Sequence, residues 1–171
     1  MSVRTRTEAD LNACVQLAVV VHRVDGYPPY LPGDLRSFVA SPGVIEAWVA
    51  ERNGEIVGHV ALHGRSSDAV MALAAGVTGR PPDRIGVVAR LFVAPAARED
   101  GVGGLLLGTA ASAAVELGLW PILDVAAQFD AAISLYEKCG WRCAGRVTVH
   151  FGDATSLDEV VYVAPDPGPE G

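Results

Sequence analysis

The stretch Leu91-Phe92-Val93-Ala94-Pro95-Ala96-Ala97-Arg98-Glu99-Asp100-Gly101-Val102-Gly103-Gly104 decides how this chain is read. Its first residues close an apolar run, residues 87–93, that predicts a buried strand, and Pro95 stops it. Residues 103–117 have helical composition, and Gly118 suits the position just past a helix end. Strand, glycine-rich turn and helix therefore follow one another. Such a turn points several backbone N–H groups into one concavity at the positive end of a helix dipole. Glycine lets the backbone approach a phosphate closely. The physical reading is a pyrophosphate cradle.

The neighbouring elements follow outward in both directions. Upstream, residues 47–52 and 55–63 flank Asn53-Gly54, which predicts a hairpin. Residues 66–84 form a less regular insertion, with one or two helical turns expected over 68–75 and an end at Gly79, Pro81 and Pro82. Thr7 to Asp10 reads as a capping box opening a helix through Arg23, with Leu11, Cys14, Val15, Ala18 and Val21 as its apolar stripe. The proline-rich loop 25–33 cannot be helical, and a short helix over 34–40 follows it. Downstream, residues 122–126 predict a short buried strand. Asp130 reads as the N-cap of a helix through Lys138, ended by Gly140. Residues 146–151 and 159–163 predict a last strand pair around Gly152-Asp153. This order fits an α+β chain, a mixed sheet with helices on both faces. Residues 1–164 read as one domain, and 165–171, rich in proline and glycine, as a disordered tail.

Three kinds of phosphate cradle compete at residues 98–104. A P-loop needs Gly-Lys-Ser/Thr, and neither a lysine nor a hydroxyl follows Gly104. A dinucleotide fingerprint needs G-x-G-x-x-G and an acidic residue about twenty positions on. The glycine spacing here differs, although Asp124 stands roughly at that distance, so a nucleotide-dependent oxidoreductase stays open as a rival. The third is a coenzyme A turn of the form R/Q-x-x-G-x-G/A, which Arg98-x-x-Gly101-x-Gly103 meets. Residues 98–103, with Leu-Phe-Val-x-Pro upstream, resemble the coenzyme A motif of the GNAT acetyltransferase superfamily. Ala132-Ile133-Ser134-Leu135-Tyr136-Glu137-Lys138-Cys139-Gly140-Trp141 is similar to that family's A-x-x-L-Y-E-K-x-G-F/W stretch, and Gly54 to Gly58 resembles its second and third strands. The likeness spans roughly residues 3–163 and implies a mostly antiparallel, twisted mixed sheet.

The resemblance implies acetyl-CoA as co-substrate and N-acetyl transfer to a primary amine by direct attack. Backbone at Leu91, Phe92 and Val93 would pair with the pantetheine arm. Arg98, the first residue of the motif, would belong to the coenzyme A site, and amides at Glu99, Asp100, Gly101, Val102, Gly103 and Gly104 would hold the pyrophosphate. Glu99 and Asp100 depart from the family, which often carries basic residues there. So does Phe129, where an asparagine that contacts coenzyme A is common; Asp130 or Gln128 would have to substitute.

Acyl transfer to an amine poses two proton problems. The amine must lose a proton, and the departing thiolate gains from an acid. Tyr136 matches the family's acid; its other reading is core packing with Ala132 and Leu135. The strand before the cradle lacks the family's frequent glutamate. Asp124, twelve residues before Tyr136, stands where some relatives have a catalytic glutamate, and could equally be structural. His59 and His63 share a strand face, where either could serve the amine through water or simply be a surface or core histidine; at about 13 Å apart they are not a metal pair by themselves. Asp25, Tyr27 and Tyr30 fall in the loop that lines the acceptor pocket in relatives, and aromatics with a carboxylate suit a cationic amine.

Composition narrows the partners. A net charge of −7 argues against nucleic acid and mildly favours a cationic acceptor, either a small molecule or a peptide. No apolar run is long enough for a membrane span, so a cytoplasmic protein without a membrane partner is expected. The three cysteines have no zinc spacing and read as reduced structural thiols, with no metal site. Relatives are often homodimers. The rival function is a non-catalytic acyl-CoA-binding or regulatory module that kept the cradle and lost the base.

Overall fold

A computed structural model describes residues 1–29, 33–152 and 154–168 of the chain. Its elements are β1 (Ser2–Thr5), α1 (Leu11–Asp25), α2 (Leu35–Val39), β2 (Val44–Arg52), β3 (Glu55–His63), α3 (Asp68–Thr78), β4 (Ile85–Val93), α4 (Val102–Glu116), β5 (Trp120–Ala126), α5 (Asp130–Lys138), β6 (Arg142–Phe151) and β7 (Thr155–Val163). The sheet has seven strands in the order β1-β2-β3-β4-β5-β7-β6. Pairing is antiparallel for β1 with β2, β2 with β3, β5 with β7 and β6 with β7, and parallel for β4 with β5. This is the expected mixed, mostly antiparallel sheet. The residues group into two compact units, Met1–His63 with Val88–Ala110, and Gly64–Val87 with Ala111–Gly171.

In the first unit, α1 places Leu11, Cys14, Leu17, Ala18 and Val21 in one core with Phe38 and Val39 of α2, Val49 of β2 and Phe92 of β4. The Thr7–Asp10 box is made. The Thr7 amide and hydroxyl both donate to Asp10 Oδ2, at 2.7 and 3.0 Å, and Arg4 adds two bonds to Asp10 at 2.8 Å. These charge-assisted bonds hold the Asp10 carboxyl well below its ordinary range. The box closes a 3-10 turn, Glu8–Asp10, and α1 begins only at Leu11. The hairpin forms at Asn53-Gly54, with φ of 53° and 79°, as a type I′ turn requires. Its strand β3 carries Gly58 where α4 crosses. A Cβ there would lie 2.7 Å from Leu106 Cδ1 and 3.1 Å from Val102 Cγ1, so any side chain would have to displace the buried Leu106, and glycine fits without doing so.

In the second unit, Val70, Met71 and Ala74 of α3 pack on Ile122 of β5 and on Val161 and Val163 of β7. α5 lies against the opposite face, where Tyr136 meets Tyr162 at 6.0 Å between ring centroids. Tyr162 alternates with Val161 and Val163 along the strand, which fixes this two-sided arrangement.

Several boundaries moved. The insertion holds an eleven-residue helix, longer than the turns expected over 68–75. Ser67 caps it by accepting the Val70 amide, and Gly79, at φ 70°, ends it. The unforeseen β1 is a four-residue edge strand with little burial, so it shows no apolar period. Its register against Glu51–Trp48 of β2 makes it a strand. Asp130 is the first helical residue of α5 rather than its cap, which is Phe129. There its charge still suits the helix dipole. The end of the tail, residues 169–171, lies outside the described residues.

Candidate active site

The cradle lies wholly in the first unit. At the end of β4 the Ala94 amide donates to Val57 O at 2.8 Å, which ties the strand to β3. A 3-10 turn, Pro95–Asp100, follows and turns at Gly101, whose φ is 76°. The first intrahelical bond of α4 runs from the Leu105 amide to Gly101 O at 3.1 Å. The amides of Gly101, Val102, Gly103 and Gly104 precede it, as the first-turn N–H groups that an α-helix cannot satisfy within itself. Val102 is fully buried and pins this end of the helix. Beside Gly101 there is open space, with nothing within 4 Å of the missing Cβ. Unsatisfied amides, a helix dipole and room for a ligand fit a pyrophosphate.

One of the two acidic side chains of the turn is paired and the other faces solvent. Asp100 pairs with Arg52 of β2. Glu99 is exposed. Arg98 bonds Val93 O through Nε at 3.3 Å and Nη2 at 3.2 Å, and Asp25 through both terminal nitrogens, the Nη1 bond at 2.9 Å. The motif arginine therefore clips the cradle to the end of α1. Asp25, expected beside the amine, has its carboxylate engaged in that clip. Tyr27 packs edge-on against Phe38 with centroids 6.3 Å apart. Tyr30 lies outside the described residues.

His59 sits in the core of the first unit with 0 % exposure. Its Nε2 is 2.9 Å from Arg6 Nη1, and its Nδ1 2.8 Å from Arg90 O. A guanidinium only donates, so Nε2 accepts and Nδ1 carries the hydrogen bonded to Arg90 O. Burial pushes the imidazolium pKa down to about 4. Both nitrogens are occupied, and none is left for an amine. His59 also stacks on Phe92 at 4.9 Å and holds β4 where Arg90 takes a φ of 56°, rare for a residue with a Cβ. His63 is likewise buried. The sequence showed the two histidines on one face but not that this face is packed under α1.

The second unit carries Tyr136 and Asp124. Tyr136 is 7 % exposed and lies against Tyr162 and Trp141 on the α5 face. Asp124 pairs in register with Val161, so it points to the α3 face. There Ser66 Oγ donates to Asp124 Oδ1 at 2.9 Å. The two candidates thus reach the sheet from opposite sides. Beside Asp124 stands Glu159, only 9 % exposed, which no sequence motif marks. Desolvation, then the hydrogen bond and charge of Asp124, push its carboxyl pKa up to about 9. The available signal was parity: Glu159 alternates in phase with the buried Val161 and Val163. Among the described residues no group of three or more His, Cys, Asp or Glu could hold a metal ion, and no helix is long and apolar enough to cross a membrane.

The comparisons agree with this anatomy. Residues 44–143 match the family model described as an acetyltransferase (GNAT) domain. The fold is similar to that of an N-acetyltransferase from Staphylococcus aureus Mu50, at 19% identity and a TM-score of 0.71, covering 95% of this chain and 96% of that one. It is also similar to a ribosomal-protein-alanine N-acetyltransferase from Brucella melitensis, at 23% identity and a TM-score of 0.69, covering 96% and 99%. A third likeness is to NAA60 of Arabidopsis thaliana in complex with acetyl-CoA, at 19% identity and a TM-score of 0.70, covering 95% and 98%. No curated protein matches the chain in sequence. The family model spans more than half of the residues and takes in the cradle and the tyrosine helix together, and the chain accordingly belongs to the GNAT acetyltransferase family.

Proposed function

We propose that the chain moves an acetyl group from acetyl-CoA to a primary amine, on a small molecule or a peptide, by direct transfer. The observation that carries this is the start of α4, where the helix opens at a positive-φ Gly101 with nothing within 4 Å of its missing Cβ, and its first-turn amides precede the first intrahelical bond, Leu105 N to Gly101 O. Acetyl-CoA supplies an acyl group already activated as a thioester. The amides from Glu99 to Gly104 bind its pyrophosphate, and the backbone at Leu91, Phe92 and Val93 orients its arm. Amides near Phe92 and Val93 polarise the reacting carbonyl. Tyr136 Oη holds the proton for the departing sulfur, and the Asp124 carboxylate takes the proton of the amine. His59 is not the base in this reading, because both its nitrogens are bonded and its basicity is lowered.

A second reading is a cytoplasmic acyl-CoA-binding module without catalysis. It is favoured by one feature: β4 has no carboxylate before the cradle. Release of coenzyme A from acetyl-CoA, measured across a panel of polyamines, amino acids and peptides with free N-termini, separates the two. Amine-dependent release is expected for at least one class. Tight acetyl-CoA binding with no release above background across the panel would establish the binding module instead.

A further inference from the structure

Asp124 and Glu159 occupy adjacent strands and the same face. Asp124 is opposite Val161, and Glu159 is opposite Ala126, two residues along. Their side chains are therefore diagonal neighbours under α3. Glu159 Oε2 is buried and meets no donor among the described residues. The polar group beside it is a second carboxylate, and two carboxylates bond only through a proton held between them. Ser66 Oγ, just ahead of α3, donates to Asp124 Oδ1 and so fixes which way Asp124 faces.

Among the charged groups of the elements packed around Glu159, Asp124 supplies the charge that acts on it. On β6, Val147 stands opposite Glu159, while Arg146 and His150 project to the other face. On α3, Asp68 is exposed and paired with Arg65. On β7 itself, Asp158 points to the other face and accepts from Thr148. Of the charged residues that β5, β6, β7 and α3 carry among the described residues, Arg142 shares this face but stands opposite Val163 at the end of β7, and Asp124 is the neighbour of Glu159.

We propose that Glu159 is a positioning residue for the transfer reaction: it keeps a proton, donates it in a hydrogen bond to Asp124, and so holds the Asp124 carboxylate as the acceptor of the amine's proton. This rests on the transfer reading above. In the step itself an N–H bond of the acceptor ammonium breaks and the proton goes to a carboxylate oxygen of Asp124. The electron pair stays on nitrogen, and Glu159 retains its own proton. The pair carries a single negative charge at neutral pH, which suits a cationic amine. Once Glu159 loses its proton near pH 9, two carboxylates face each other, the hydrogen bond is gone, and Asp124 is no longer held.

Two measurements test this on the full chain. The first is a pH titration followed by the carboxyl carbons of protein labelled with carbon-13 in its Glu and Asp side chains. One Glu resonance, absent in Glu159→Gln, is expected to titrate far above the others, and to fall by more than one pH unit in Asp124→Asn. An ordinary Glu159 midpoint would overturn the shared proton, whether or not the chain transfers acetyl groups. The second is kcat/KM against pH for Glu159→Gln and Glu159→Leu. Gln still donates a hydrogen bond and cannot ionise. It should match the wild type near pH 7 and keep its activity above pH 9, where the wild type declines. Leu should fall about 10- to 100-fold throughout. Wild-type rates and an unchanged profile in folded Leu and Gln variants would overturn the positioning role. A wild type that cleaves no thioester with any amine would overturn the transfer reading, while the titration still decides the shared proton.

Discussion

Tyr136 and Asp124 are assigned opposite proton duties, and each can be tested separately. Tyr136 is packed by two aromatic rings, so its phenyl ring has a structural part whatever its hydroxyl does. Tyr136→Phe keeps the ring and removes only the Oη proton. Acetyl-CoA affinity should then be unchanged while turnover drops on the order of 10²–10⁴-fold. Wild-type turnover would reduce Tyr136 to packing. Asp124→Asn keeps the size but cannot accept a proton. Its defect in kcat/KM should be largest where the acceptor amine is charged and should shrink at higher pH, as the amine deprotonates unaided. A defect that is the same at every pH would place Asp124 in substrate binding. His59→Gln serves as the parallel variant; a pH-dependent defect there, absent from Asp124→Asn, would move the base to His59.

At the scale of elements, the turn between β4 and α4 has two requirements that single substitutions separate. Gly101 has a positive φ, so any side chain strains the backbone there. The same position is open, with nothing within 4 Å of a Cβ there. Gly101→Ala should cost about 1 kcal/mol of stability through strain and weaken acetyl-CoA binding modestly. Gly101→Glu adds a negative group where phosphate is to sit and should abolish binding by calorimetry. Equal, wild-type affinity in both folded variants would place the cradle elsewhere. The clip from Arg98 to Asp25 belongs to this scale too. In sequence it read as a motif arginine and a loop aspartate with separate duties, and the fold of the first unit joined them in one ion pair.

For the molecule as a whole, the buried His59 ties stability to pH. Its folded pKa, about 4, lies below the ordinary 6.5. Between those values the unfolded chain binds a proton that the folded chain refuses, so stability falls as pH drops through this window and levels off above it. The contribution is on the order of 3 kcal/mol. Urea denaturation at pH 7.5 and pH 4.5 should show the loss in the wild type. His59→Gln should start less stable, since Arg6 and Arg90 O lose a partner, and should lose less on acidification. An equal loss in both proteins would mean that His59 is not buried neutral.

Most of the elements are written in local order along the chain. Asn53-Gly54 determines its turn by backbone sterics, Thr7 and Asp10 determine a cap by a three-residue reach, and Gly101 with Gly103 marks a helix start. The cradle and the family motifs are contiguous, so the chain itself displays them. Burial and long-range pairing are not contiguous, and there tertiary structure decided. His59 and His63 read as candidates or as surface or core histidines until the fold buried both. Asp25 looked available until Arg98, 73 residues away, took it. Glu159 stood unremarked beside Asp158, 35 residues beyond Asp124, until antiparallel pairing of β5 and β7 set it on the face of Asp124. The physical reason is common to all three. A side chain's periodicity tells which way it points along its own strand, but its protonation and its partners depend on what the fold brings against it, through desolvation and charge that act across space rather than along the chain.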